Sequence, residues 1–204
     1  PQSIAILPFE NQGDAEDDFY AYGISSDIIS DVTSAGLIRV ASLSDIKKLD
    51  FTNLDNSEIS KKLFVRYVST GTLWKRDNIF QLSMELYDTK TEKVVWSERW
   101  QKNWKELPVI RDVLAENILD KLKVDYTTDH PNYAVNPDAY ELYLKAKHKY
   151  DNRKNIEDTE VVRGLLNKAI DIDENLIGAK RLLGLTFDNE GYFDKALEIY
   201  ISAL

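Results

Sequence analysis

The sequence predicts a mixed α/β domain followed by an all-α domain of helical hairpins. Three observations carry this. Residues 3–9 are apolar at both parities (Ile4, Ala5, Ile6, Leu7, Phe9), as in a strand covered on both faces. Residues 65–101 fall into three segments that alternate apolar and polar side chains with the period of a half-buried strand. From Pro137 onward apolar residues recur at helical spacing and no strand pattern returns.

Taken in order, the first strand covers Ser3 to Phe9, with Pro8 near its end where a missing N–H does least harm. Residues 11–18 are polar and acidic and read as a loop. Phe19, Tyr22, Ile24, Ile28, Ile29 and Val32 then mark a helix from about Phe19 to Ala35, with Asp17 or Asp18 at its start and Gly36 past its end. Leu37–Ala41 is a second short strand. A helical turn from Ser44 and a helix capped by Asn56 or Ser57 follow. Strand, helix, strand, helix with short crossovers builds parallel pairing. The next three strands, Val65–Lys75, Ile79–Tyr87 and Lys93–Gln101, are joined by short turns and form an antiparallel meander. In the middle strand Phe80, Leu82, Met84 and Leu86 share the core face. A long amphipathic helix, Trp104–Val124, closes the domain with the stripe Leu107, Ile110, Val113, Leu114, Ile118 and Leu122.

Periodicity is lost between Tyr126 and Asn136, so the expected organisation is a domain over 1–125, a linker over 126–136 and helical hairpins over 137–204. Asn136 and Pro137 form a helix start. Aligning Asn167–Asp171 with Ile201–Leu204 gives a shift of about 34 residues, the period of helix-turn-helix repeats.

Composition bounds the function. The chain has 204 residues, 43% of them hydrophobic, and a net charge of −9, which argues against disorder and against a nucleic-acid partner. It has no cysteine, which excludes disulfides, thiolate metal sites and cysteine nucleophiles. No apolar run is long enough to span a bilayer, so no direct membrane insertion is expected. Both ends read as cut from a longer chain, with room outside it for an anchor or a catalytic domain.

The C-terminal hairpins resemble tetratricopeptide repeats through Leu183-Gly184, Phe187, Gly191-Tyr192-Phe193, Ala196, Tyr200 and Ala203. Lys180 and Glu174 depart from that pattern, and the first copy is weaker, with a longer loop and Val162 at a position where a small residue is expected. The first 123 or so residues resemble the TolB-like amino-terminal domain of bacterial multi-domain proteins. The matching stretches are Ser3–Asn11, Phe19–Ile24, Leu37–Val40, Val65–Gly71, Gln81–Asp88 and Trp96–Trp100. That resemblance implies fusion to a class III adenylate or guanylate cyclase domain, or to a winged-helix DNA-binding domain and a membrane segment, and a sensory or protein-contact role for this part. It also implies a periplasmic location where a membrane segment precedes residue 1, and a cytoplasmic one otherwise.

Catalytic chemistry is sparse. His130 sits in the linker and His148 between lysines, neither with a second ligand at useful spacing. No phosphate loop or nucleophile elbow is present. Ser69–Thr72 reads as close backbone packing in a strand, and Asp14–Asp18 as a solvated loop ahead of a helix rather than a calcium site. Trp74, Trp96, Trp100 and Trp104 read as packing residues, with only Trp96 and Trp100 certain to share a face. No cofactor and no enzymatic role are expected. If the helical pairs stack as the repeat requires, Tyr140, Tyr143, Lys147 and Tyr150 project from one helix onto a concave surface. Arg181, Asp188 and Asn189 join them from a later helix. Tyrosines mixed with polar groups suit a protein or peptide partner. A small-molecule sensor with its ligand in the interdomain cleft, and the regulatory portion of a nucleotide cyclase, stay open beside this reading.

Overall fold

The structure, a computed structural model, describes residues 2–36, 38–124 and 135–203. Most of the expected linker, with His130, and Leu37 of the expected second strand lie outside the described residues. The chain divides into two compact units, Pro1–His130 and Pro131–Leu204.

The first unit runs β1 (Ser3–Ile6), β2 (Glu10–Asn11), α1 (Asp18–Ser34), β3 (Arg39–Val40), α2 (Leu43–Lys48), α3 (Asn56–Leu63), β4 (Tyr67–Arg76), β5 (Ile79–Asp88), β6 (Lys93–Asn103) and α4 (Leu107–Lys121). Among the described residues its sheet has the order β3-β1-β4-β5-β6, with β2 also on β4. β1 pairs in parallel with both β3 and β4, while β4, β5 and β6 form the antiparallel meander. The central place of β1 explains its apolar composition, since Ile4, Ala5 and Ile6 are all fully buried.

Strand β2 lies in the stretch from Asn11 on that reads as a loop, or just ahead of it. After Pro8 interrupts β1, which ends with Ile6 opposite Ser69, the chain rejoins β4 three residues further along, with Glu10 opposite Thr72 and Asn11 opposite Leu73. The Phe9 N–H, left without a strand partner, donates to the buried Ser25 Oγ of α1 at 2.8 Å. The Phe9 ring lies over Gly71, where a Cβ would come within 2.6 Å of it and within 2.8 Å of the Ser83 carbonyl. Gly71 is therefore small because of close packing, not phosphate contact.

Cross-strand register places Leu73, Leu82 and Trp100 on one face, with Phe80, Met84 and Leu86. This face meets α1 through the Tyr20–Phe80 edge contact at 4.8 Å. Each fully buried leucine, isoleucine or phenylalanine here contributes roughly 1.5–3 kcal/mol. Helix α4 packs on α1, where Arg111 bridges Asp31 at 3.4 Å and approaches Asp27 at 4.0 Å. Five of the six residues expected on the α4 stripe are buried, but Val113 is 37% exposed. The helix turns Ala115 and Leu119 inward instead, because it packs on α1 as well as on the sheet.

The second unit contains α5 (Pro137–Asp151), α6 (Ile156–Ile172), α7 (Ile177–Asp188) and α8 (Phe193–Ile201). Each helix packs on the next, and α5 also touches α7. Asn136 caps α5, its side-chain oxygen accepting from the Asp138 and Ala139 N–H groups. The Asn136 N–H donates to Asp173 Oδ2 at 2.8 Å, fixing the start of α5 to the turn after α6. Gly184 permits the close approach of α7 and α8: a Cβ there would lie 2.4 Å from the Tyr200 ring.

Candidate functional site

The seven residues expected on a partner-facing surface separate into two groups. Tyr140 is fully buried and Tyr143 nearly so, their ring centroids 5.9 Å apart. Tyr143 also lies against Gly178 of α7, where a Cβ would be 3.1 Å from its ring, and Lys147 Nζ stands 5.6 Å from its ring centre. The two tyrosines therefore pack between the helices rather than facing solvent, and Lys147 stays half-buried beside them. Ala139 and Ala146 of α5, both buried, leave the room for the two rings.

The second group gathers at the far end of α5. Tyr150 is buried, its hydroxyl accepts from Asn189 Nδ2, and the Arg153 guanidinium covers its ring at 3.8 Å. Arg181 and Asp188 both act electrostatically on Tyr200, as does Tyr150. Burial is the main cause that raises the Tyr200 phenol above its ordinary value, and Asp188 adds to it.

Tyr150 and Asn189 form one side of an open cleft of about 490 Å³, with Arg153, Asn155, Ile156 and Thr186 among its other walls. The α5–α6 turn supplies Arg153 to Asn155, and Asn155 is held by capping α6 through the Asp158 N–H. Asp158 also pairs with Lys149 Nζ at 2.9 Å, and that hydrogen bond is the first cause holding its carboxyl below the usual range.

Beneath the cleft lies Arg163 of α6, a residue that periodicity alone does not single out. Its guanidinium is 8% exposed and donates to Thr186 Oγ1 at 3.0 Å, Thr186 O at 2.9 Å and Glu190 Oε2 at 2.7 Å. It also pairs with Glu160 and stacks on Phe187 at 4.0 Å. The Glu190 N–H is turned to Phe187 O, so Arg163 supplies the partner that the helix end withholds from Thr186 O. The sequence signals were the Glu160–Arg163 spacing on one helix face and the lone Ile156 in a polar turn.

The tryptophans divide as the register requires. Trp96 and Trp100 share one face of β6 with ring centroids 5.9 Å apart, while Trp74, opposite Gln81, is on the other face of the sheet. In the acidic run, Asp17 pairs with Lys75 at 3.3 Å and Asp18 accepts from Asn11. Among the described residues no group of three or more His, Cys, Asp or Glu is placed to hold a metal ion. No helix among them is long and apolar enough to cross a membrane.

Residues 1–117 match the family described as HilA/YgeH-like transcriptional regulator, second domain. The chain belongs to this family. It is also 28% identical over 190 residues to a Rhizobium meliloti (strain 1021) protein named "Putative adenylate cyclase 3", a match that covers 90% of this chain. It spans 32% of that relative's length. Similar solved structures include TolB from Acinetobacter baumannii, at 18% identity and TM-score 0.46, covering 59% of this chain and 28% of TolB. Lipoprotein GNA1162 from Neisseria meningitidis is similar at 14% identity and TM-score 0.44, covering 59% of this chain and 99% of the lipoprotein.

Proposed function

We propose that this chain is a non-catalytic protein-contact module of a larger bacterial regulatory protein. Its helical unit is of the tetratricopeptide kind and receives an extended peptide in the cleft beside α5, α6 and α7. The observation that carries this reading is the cleft itself. Its floor is braced by a buried arginine network, and its rim mixes an aromatic ring, a guanidinium and side-chain amides. Tyr150 and Ile156 offer apolar contact, while Arg153 and Lys154 outnumber Glu190. A peptide pairing an apolar anchor with a carboxylate fits this lining.

Membership of a transcriptional-regulator family supports a regulatory role, and the net charge of −9 supports assigning any nucleic-acid contact to another part of such a protein. The likeness to a protein named as a cyclase, of which this chain spans a third, supports the same division: chemistry elsewhere, contact here.

A phage-displayed peptide library panned on the intact chain tests the reading. Enriched peptides should carry an acidic residue near an aromatic or aliphatic one. They should bind Lys154→Glu and Asn189→Ala at least about tenfold more weakly, roughly 1.4 kcal/mol, while the melting temperature holds. Failure to enrich any peptide, or binding to either variant as tight as to the unmodified chain, would refute it.

A further inference from the structure

The outer edge of the sheet is long and open. β6 has eleven residues, pairs among the described residues only with β5, and is exposed along its length except for the half-buried Trp96 and Trp100. The direction of its main-chain groups follows from one bond: the Trp104 N–H donates to Asn78 O at 2.9 Å, toward the β5 side. Strand alternation then turns the N–H and C=O of Lys102, Trp100, Glu98 and Trp96 toward β5, and those of Ser97, Arg99, Gln101 and Asn103 outward. A second bond agrees, because the Asn103 N–H is closed off by Glu106 Oε2 at 3.1 Å. A bulge opposite Leu86 and Tyr87 breaks the strand at its other end. The open stretch is therefore Ser97 to Gln101.

We propose that this stretch pairs with β6 of a second copy of the chain, antiparallel and centred on Trp100, so that two sheets become one. Charge complementarity selects both the occupant and the register. Pairing about Trp100 sets Arg99 opposite the second copy's Gln101, and Gln101 opposite its Arg99, and each pair exchanges two main-chain hydrogen bonds. The same register sets Glu98 opposite the second copy's Lys102, twice by symmetry, on the face that carries Trp100 against Trp100. Centring on Glu98 or on Arg99 would instead oppose like charges at the middle of the interface. Centring on Gln101 would need the Asn103 N–H that Glu106 already holds. Lys102 is free to change partner, since its present contact with Glu106 is 3.5 Å long and both side chains are about half exposed (47% and 48%). Charges on an edge strand ordinarily keep edges apart, but on β6 their spacing matches the strand to its own copy.

Sedimentation equilibrium of the intact chain from about 1 to 300 μM reads the association, since an interface this small is expected to be weak. The expected result is a monomer–dimer equilibrium in the micromolar range. Glu98→Lys should weaken it at least tenfold, and Glu98→Lys with Lys102→Glu should restore it to within about threefold. Arg99→Pro removes an outward N–H without touching the bonds to β5 and should abolish it, with the circular dichroism spectrum unchanged. A chain that stays monomeric throughout overturns the proposal, as does a dimer indifferent to Arg99→Pro. A dimer that the charge exchange fails to restore overturns the register and with it the choice of occupant.

Discussion

Replacing Arg163 by methionine keeps most of the aliphatic volume under the cleft and deletes the guanidinium. The side chain is 8% exposed, so water does not take over its bonds. Two of these go to Thr186, itself 1% exposed, whose carbonyl has no other helix-end partner. Losing the Thr186 contacts costs about 1–2 kcal/mol, within the range for leaving a buried polar group without its partner. The Glu190 pair adds about 1 kcal/mol, because Glu190 is 26% exposed and regains water. Stacking on Phe187 adds about 0.5 kcal/mol, part of which methionine returns. The net loss is about 2–3 kcal/mol. In a unit of this size that lowers the melting temperature by roughly 10–20 °C. Differential scanning calorimetry of the intact chain measures it, and a double-mutant cycle with Glu190→Gln isolates the ion pair at about 1 kcal/mol of coupling. A drop below about 3 °C would show that the network under the cleft is not holding the helical unit together.

Asp88 accepts from Arg66 at 2.9 and 2.7 Å, and these bonds hold its carboxyl below the usual range despite burial. A depressed carboxylate stabilises the fold above its unfolded pKa of about 4, and the contribution disappears as pH falls through the folded value. The urea midpoints of wild type and Asp88→Asn should therefore differ most at neutral pH and converge as pH falls through the lowered folded value. A gap independent of pH would sink this assignment. Phe64 ends α3 in the left-handed conformation (φ 54°) with 81% of its surface exposed, so its ring gives little to offset the backbone cost. Phe64→Gly should raise the stability of the first unit by about 1 kcal/mol. A loss instead would mean that the ring makes contacts that matter.

The legible elements were those whose pattern is local. Alternation in β5 placed Phe80, Leu82, Met84 and Leu86 on one face, and those four are buried. The doubly apolar run at Ile4–Ile6 marked a strand with neighbours on both sides and cover on both faces. The Asn136 cap and the close packing at Gly184 also follow from residue type, since few side chains can do either job.

The candidate site was less legible, because burial on a helix depends on what arrives from elsewhere. Tyr140 and Tyr143 have the composition of a contact surface. Gly178 leaves room for one of them on α7, and both turn inward. Tyr150 and Asn189, thirty-nine residues apart, are joined by one hydrogen bond that no spacing rule contains.

What the sequence by itself determined is the class of each unit, the alternation of its strands and the positions of its caps and close contacts. These depend on periods of two and 3.6 residues and on the backbone limits of single residue types. Only the tertiary structure decided that β2 continues on β4, that Arg163 closes the end of α7 beneath an open cleft, and that the main chain of Ser97, Arg99 and Gln101 faces outward. Each of these depends on which distant segment occupies the neighbouring space, and a residue's burial and partners are properties of that neighbour as much as of its own place in the chain.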